Sequence, residues 1–399
     1  MSTWGDNYLS KYDYHFPKEL IAQSPASPRD TARLLVYDRK TKRTRFDTFL
    51  NLPKYLPPRS VLVFNQTKVI PARIEVKKET GGKAVLLYIS HGQKLVTVLS
   101  DRRLEIGTTL KLSPRLAFRV QSQQGKYCFL APSFPLSSLI AILVRCGRTP
   151  LPPYITHAPL SERRLRKEYQ TVFAKTLGSV AAPTASLHFT KRLLKKLRNA
   201  GHDVRFITLH VGLGTFAPLT EENLKTGTLH EEHFSIDSAT ARSLTRAKRE
   251  VRPIIAVGTT VVRALESSVQ PRMEDEGWPQ RKVSRKLRGH GAPPSGASAA
   301  ESQAVSRTPG GTTASFRADI PSGRRIWISE CGVSTNLFIR PGYRFKFVDG
   351  LITNFHVPRS SLLMLVSAFA GRQTTMRLYQ TAIAENFRLF SFGDGVLIL

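Results

Sequence analysis

The sequence predicts a mixed α/β protein: a large α/β domain with a barrel-like sheet, and a small β-barrel domain inserted into it. Three observations carry that expectation. Short β-rich runs punctuated by glycine fill residues 60–130, strand-like and helix-like stretches alternate beyond residue 190, and the hinge Pro150-Leu151-Pro152-Pro153 separates the two patterns. The division that follows gives residues 1–73 and 151–399 to the large domain and 74–150 to the barrel. With 399 residues, 41% of them hydrophobic, the chain is long and apolar enough to bury a core in each.

The β-rich runs are Ser60–Phe64, Ala72–Val76, Ala84–Ile89, Leu95–Leu99, Leu116–Val120 and Tyr127–Leu130, with Gly81-Gly82, Gly92, Gly107 and Gly125 between them. Beyond the hinge, Thr190 is a good N-cap for an amphipathic helix over Lys191–Ala200, which Gly201 ends. Val204–Val211 reads as a strand, Ala239–Glu250 as a helix and Ile254–Val257 as a buried strand. Thr259 or Thr260 opens a helix running to Glu266. Strands are expected near Ile326–Ile328, Leu337–Ile339 and Phe345–Val348, helices over Ser360–Ala370 and Thr375–Phe387, and a last strand at Val396–Leu399. Between Gly289 and Phe316, 22 of 28 residues are Gly, Ala, Pro, Ser or Thr, so a disordered insertion is expected over about 268–320, with a basic flank at Arg281–Arg288.

Sixty Lys and Arg against 29 Asp and Glu leave a formal charge of +31. Such a surplus repels itself unless a polyanion shares it, and RNA or DNA is the natural partner. The cations cluster at Arg102-Arg103, at Arg163–Lys167, and at Lys191, Arg192, Lys195, Lys196 and Arg198. A solvated surface that has drifted basic is the bland alternative. Three scattered cysteines without a CxxC pair argue against a disulfide framework or a structural zinc site, so a reducing cytoplasm and no metal are expected. The longest apolar stretches, Ser361–Ala370 and Leu136–Val144, are too short to span a membrane, and Met1–Phe16 lacks the apolar run of an export signal, so no membrane is expected.

Several familiar chemistries are excluded by spacing. Gly82-Lys83 lacks the upstream glycine of a P-loop, Gly212-Leu213-Gly214 runs on into Pro218 instead of a helix, and His230-Glu231-Glu232-His233 misses the HExxH spacing of a zinc protease. What remains is a set of polar residues in apolar, turn-rich runs: Asn65, His188, His210, His230 with Glu232, and Asn354 with His356. An imidazole titrating near 6.5 suits proton transfer at neutral pH. Any one of these alone is more often a hydrogen-bonded structural histidine, whereas four in similar settings point to a shared polar pocket. Val257–Arg263 reads as a strand feeding a helix N-terminus, where Thr259, Thr260 and Arg263 can hold a carboxylate or phosphate; an ordinary N-cap beside a solvent-facing arginine is the alternative.

Taken together, these runs resemble the S-adenosylmethionine:tRNA ribosyltransferase-isomerases of queuosine synthesis. The likeness begins at Tyr14–Gln23, Pro28-Arg29-Asp30 and Arg33-Leu34-Leu35 and continues through Val63–Asn65, Val69–Arg73, Thr80–Lys83, Pro150–Ile155 and Tyr169–Val172. It resumes at Ala181–Thr184, Leu187–Thr190, Thr208–Phe216, Val257–Arg263, Phe338–Phe345, Asp349, Leu351–His356, Ser367–Gly371 and Phe390–Asp394, skipping only the insertion. Gln66 departs from a usual Asp, Ser186 from Gly, Gly227 from His, and Gly395-Val396 from Ala-Met.

The resemblance implies a large mixed domain plus a small β-barrel; a monomer is expected. The implied reaction moves the ribosyl part of the co-substrate S-adenosyl-L-methionine onto an aminomethyl-deazaguanine at the wobble position of tRNA. The ribose rearranges to the epoxide of epoxyqueuosine while adenine and methionine depart. That chemistry needs a base, an acid for adenine and a clamp for the methionine carboxylate. His210, His188, Glu232, His230 and His356 are the expected catalytic set. Asn65, Arg73, Thr184, Gly212, Gly214, Thr215, Thr259, Thr260, Arg263, Asn354 and Asp394 are the expected binding set. A non-catalytic RNA-binding protein on the same scaffold and an S-adenosylmethionine-dependent RNA methyltransferase are the competing readings.

Overall fold

Strands buried at every position need cover on both faces, and among the described residues four are so: Val61–Asn65, Ile254–Val257, Gly350–Asn354 and Gly395–Ile398. The structure, a computed structural model, describes residues 4–212, 219–270, 327–328 and 330–399. In chain order its elements are α1 (Trp4–Ser10), β1 (Arg33–Tyr37), β2 (Thr44–Thr48), β3 (Val61–Asn65), β4 (Thr67–Val69), β5 (Arg73–Lys78), β6 (Lys83–His91), β7 (Val96–Ser100), β8 (Thr109–Ser113), β9 (Leu116–Gln124) and β10 (Tyr127–Pro132). Then come α2 (Leu139–Cys146), α3 (Glu162–Glu168), β11 (Thr176–Ser179), α4 (Lys191–Asn199), β12 (Asp203–Leu209), α5 (Glu221–Thr226), β13 (Thr228–Ile236), α6 (Ser238–Arg249), β14 (Ile254–Val257) and α7 (Thr259–Ser267). The short pair β15 (Val269–Gln270) and β16 (Trp327–Ile328) precedes β17 (Cys331–Leu337), β18 (Gly350–Asn354), α8 (Ser361–Ala370), α9 (Arg372–Ala384) and β19 (Gly395–Ile398).

The fold is mixed α/β, as expected. Nine strands form one mixed sheet in the order β17-β13-β12-β3-β14-β18-β19-β1-β2, and β12, β3, β14 and β18 run parallel within it. One face packs Ala241 and Leu244 of α6, Val261 and Leu265 of α7, Leu363 of α8 and Leu378 of α9. The other packs Phe49, Leu52 and the Leu193, Leu194 and Leu197 stripe of α4. Burying each of those leucines is worth about 1.5–3 kcal/mol. Thr190 caps α4 as expected, its Oγ1 accepting from Leu193 N at 3.1 Å.

β10-β7-β6-β5-β8-β9 close into a small antiparallel barrel. Its strands alternate buried and exposed, so Ile74, Val76, Leu86, Val98, Leu110, Phe118 and Leu130 fill the interior, and α2 adds Leu139 and Leu143. Every described residue, barrel and sheet alike, belongs to one compact unit.

Several elements differ from expectation. Of the strand placed at Leu337–Ile339 only Leu337 is in a strand, as the last residue of β17, and Phe345–Val348 is no strand. Phe347 and Val348 are buried, but the N–H groups of Lys346, Phe347 and Val348 donate to the Glu266 carboxylate at 2.9–3.0 Å instead of to a ladder. β13, absent from the expected strands, pairs with both β12 and β17. Of the expected insertion, Ser268 ends α7 and Val269–Gln270 pair with β16, while 271–320, with the basic flank, lie outside the described residues.

Candidate active site

Ligands of open α/β sheets bind past the carboxyl ends of the parallel strands, where loops diverge and helix N-termini point inward. Here that edge gathers Asn65 of β3, Leu209 of β12, Val257 of β14 and Asn354 of β18. β19 runs antiparallel to β18 with Asn354 opposite Gly395, which brings Asp394 to the same edge. Leu209 pairs with Phe234, so Glu232 and His233 of β13 come alongside.

A cleft of about 620 Å³, counting the part open to solvent, lies there. Among the expected residues, Thr184, Thr259, Thr260, Asn354 and His356 line it, beside Tyr154, Phe390 and Ser391. Thr259 and Thr260 open α7 after the N-cap Gly258, so the first-turn N–H groups and the positive end of the helix dipole meet the cleft.

Asn354 is 2% exposed. Its Nδ2 donates to the Phe390 carbonyl at 2.9 Å and lies 3.4 Å from His188 Nε2, whereas its buried Oδ1 has no partner among the described residues. Phe390 holds φ +69°, a left-handed conformation that is strained for an aromatic residue, and this hydrogen bond fixes it.

His188 is stacked on Phe49 with ring centroids 4.1 Å apart. A Cβ at Gly395 would approach Phe49 Cζ to 2.7 Å, so the departure to glycine leaves room for that stack. Burial, reinforced by Arg388 and Arg29, pushes the His188 imidazole down to about 3. His356 is pushed down to about 3 by burial alone; its Nε2 pairs with Thr353 Oγ1 at 2.9 Å and its N–H donates to the Tyr379 hydroxyl at 3.0 Å. Both rings are therefore neutral at pH 7, and neither takes up a proton until the pH falls toward 3.

His210 stands beyond the end of β12, three strands from β18, roughly 14 Å of sheet away. Its Nδ1 pairs with Thr67 Oγ1 at 2.8 Å, and burial, then His233, lowers its pKa. Val211, the next residue, lines the cleft, but His210 does not. One cavity thus holds His356 and Asn354, with His188 behind Asn354 and outside the lining, while His210 occupies the neighbouring part of the same edge.

Other expected binding residues are occupied within the protein. Asn65 is fully buried; its Nδ2 donates to Leu209 O at 2.8 Å and its Oδ1 accepts from Thr67 N and Leu209 N, both at 3.0 Å, so it ties β3 to β12. Asp394 accepts from Arg33 N and Arg388 N. Arg263 is buried and paired with Glu232, and also donates to the carbonyls of Leu337 and Thr335. Its charge is neutralised inside the protein, which corrects the expectation that it faces an anion. Glu232 also accepts from Gly212 N at 3.1 Å, so this carboxylate holds the start of the 212 turn. Arg73 is exposed on the barrel and His230 is exposed on β13; neither reaches the cleft. Gly214 and Thr215 lie outside the described residues.

Sequence reading missed Tyr154, whose hydroxyl is 2.6 Å from Ser391 Oγ and whose pKa burial pushes up to about 12. It missed Ser179 too, whose Oγ accepts from Val211 N at 2.9 Å. A tyrosine behind a proline hinge was the available signal for the first. Gln66 binds Thr208 Oγ1 at 3.3 Å, and Ser186 Oγ is fully buried without a partner among the described residues. Among those residues no three His, Cys, Asp or Glu side chains gather as a metal site, and no helix is long and apolar enough to cross a membrane.

Over residues 9–290 and 300–398 the sequence matches the family described as "Queuosine biosynthesis protein". It is similar to the S-adenosylmethionine:tRNA ribosyltransferase-isomerase of Carboxydothermus hydrogenoformans, 39% identical over 398 residues covering 98% of this chain and 99% of that one. The protein of the same name from Thermus thermophilus is 41% identical over 401 residues, again covering 98% and 99%. A crystal structure of S-adenosylmethionine tRNA ribosyltransferase from Thermotoga maritima is 28% identical, covering 98% of this chain and all of that one, with a TM-score of 0.47.

Proposed function

The chain belongs to the queuosine biosynthesis protein family, and from that premise we propose that the cleft at the carboxyl edge binds S-adenosylmethionine for transfer and isomerisation of its ribosyl group onto tRNA. The enzyme is a transferase-isomerase of tRNA modification. The finer reading takes the acceptor as the aminomethyl-deazaguanine at the wobble position, the product as epoxyqueuosine, the leaving groups as adenine and methionine, and the setting as the cytoplasm, with the chain acting as a monomer.

The observation that carries the assignment is Asn354 Oδ1, a buried acceptor without a partner among the described residues, on the wall that also holds the α7 N-terminus. An unfilled buried acceptor costs about 1–3 kcal/mol, which a ligand N–H or O–H recovers. The first-turn N–H groups and hydroxyls of Thr259 and Thr260 suit the methionine carboxylate, and Asn354 suits a ribose hydroxyl or the adenine amine. His210, neutral and held through Nδ1 by Thr67, is the base at the outer part of the edge. His188 and His356 keep the inner wall neutral, so neither serves as the acid for adenine. Glu232 and Arg263 position the 212 turn, and Asn65 positions the strand that carries His210.

Labelled S-adenosylmethionine incubated with precursor-bearing tRNA separates the readings. Adenine and methionine are the expected products. S-adenosylhomocysteine would make the protein a methyltransferase, and RNA binding without turnover would make it a binding module. Asn354→Ala should raise the KM for S-adenosylmethionine about tenfold, one lost hydrogen bond of about 1.4 kcal/mol. His210→Ala should lower kcat about a hundredfold or more. Full turnover in both variants removes this assignment of roles.

A further inference from the structure

A second groove, of about 750 Å³ counting the part open to solvent, lies between the barrel side and the β4–β11 pair. Val144 of α2 and Leu177 of β11 line it and are 42% and 39% exposed, unusual for large apolar side chains. Two polar side chains of its walls are already satisfied, whereas the buried Tyr169 hydroxyl has no hydrogen-bond partner among the described residues. Gln170 exchanges hydrogen bonds with the backbone of Val69 at 3.0 and 2.8 Å, and Thr149 Oγ1 donates to Glu162 at 2.9 Å. Val144, Leu177 and the aliphatic parts of these walls offer van der Waals surface to a flat apolar body.

The rim is cationic. Lys68 lines the groove, Arg166 lines it while paired with Glu162, and Arg73, Arg145 and Lys175 are exposed near it in sequence. The nearby carboxylates are taken, Glu162 by Arg166 and Glu75 by Arg148. The groove also adjoins the candidate active site through β11: after Leu177, Gly178 abuts the His210 ring and Ser179 holds Val211. An apolar slot with a cationic rim, one strand from the reacting edge, fits a nucleotide better than any other polyanion, because only a nucleic acid supplies a flat base beside each phosphate.

We propose that this groove seats an unpaired nucleotide of the substrate RNA, its base against Val144 and Leu177 and its phosphate on Lys68. The inference rests on tRNA being the partner and adds which surface takes the nucleotides around the modified one. Arg73, expected from sequence to bind substrate, then belongs to this RNA face and not to the cleft.

The test measures Kd for an anticodon stem-loop RNA by fluorescence anisotropy, using the full chain and the variants Val144→Asp and Lys68→Ala. Val144→Asp should weaken binding about tenfold or more, by removing apolar contact surface and setting a carboxylate against phosphate. Lys68→Ala should flatten the slope of log Kd against log salt by about 0.7–0.9, one phosphate contact. The KM for S-adenosylmethionine at saturating RNA should stay within twofold of the unaltered chain in both. Should Val144→Asp fail to fold, the Lys68→Ala slope still decides. Undiminished RNA binding with an unchanged salt slope would overturn the proposal alone. Failure of the unaltered chain to bind the stem-loop would overturn it together with the tRNA reading beneath it.

Discussion

Gly178 has no side chain, and His210 uses the space: a Cβ there would lie 2.7 Å from the imidazole Cε1 and 2.9 Å from both ring nitrogens. With Thr67 Oγ1 on Nδ1, the ring is held from two sides. Gly178→Ala must displace it, and a misplacement of about 1 Å is enough to cost turnover tenfold or more. The expected result is a kcat lowered by at least about tenfold with the urea midpoint of unfolding close to that of the parent; an unchanged kcat would detach His210 from the chemistry. His210 stood out in the sequence as an imidazole beside glycines, but Gly178, 32 residues earlier, carried no sign of its task. Asn65 and Asp394 teach the converse. Polar residues in apolar runs read as binders, yet both accept hydrogen bonds from backbone N–H groups, because a buried strand end needs partners as much as a substrate does.

Among the elements, the segment at Phe345–Val348 reads as a strand because short apolar runs give no periodicity to tell a strand from a buried loop. Glu266, at the end of α7, decides otherwise by accepting three consecutive backbone N–H groups and the Tyr343 hydroxyl. Glu266→Ala should therefore destabilise the protein by about 3 kcal/mol or more, since several buried donors lose their acceptor at once. Equilibrium denaturation in urea measures it, and a loss below about 1 kcal/mol would mean that the segment finds other acceptors. α4 was legible throughout, because Thr190, the leucine spacing and Gly201 are all local signals. β13 was not, since His230-Glu231-Glu232-His233 is too polar for a buried strand; it forms because β12 and β17 pair with it on both sides.

For the whole molecule, the two neutral buried imidazoles set the acid limb of stability. His188 and His356 have folded values near 3 against 6.5 for the free side chain. Below pH 6.5 the unfolded chain binds these protons and the folded chain does not, so stability is full above that pH. It should fall as pH drops toward 3, by about 1.4 kcal/mol per pH unit for each histidine. Urea titrations between pH 7 and pH 4 should show this slope, and His356→Gln should remove about half of the two-histidine part. An unchanged slope would mean that the ring titrates normally in the fold. The net charge of +31 acts at the same scale, since a surplus of that size attracts any polyanion without selecting a site.

By itself the sequence determined the fold class, the family, the charge and the short list of polar residues, because helix caps, strand alternation, turn glycines and ordered motifs are local features. Only the tertiary structure decided which of those residues share a cleft and which are spent on one another. The parallel order of β12, β3, β14 and β18 brings Asn65, His210, Thr259 and Asn354 to one edge across nearly 300 residues of chain. Whether a side chain there keeps a free lone pair, as Asn354 does, or gives its charge to a neighbour, as Arg263 gives to Glu232, depends on partners brought close by folding. Hydrogen bonds and ion pairs act over a few ångströms of space, and distance along the chain carries no record of them.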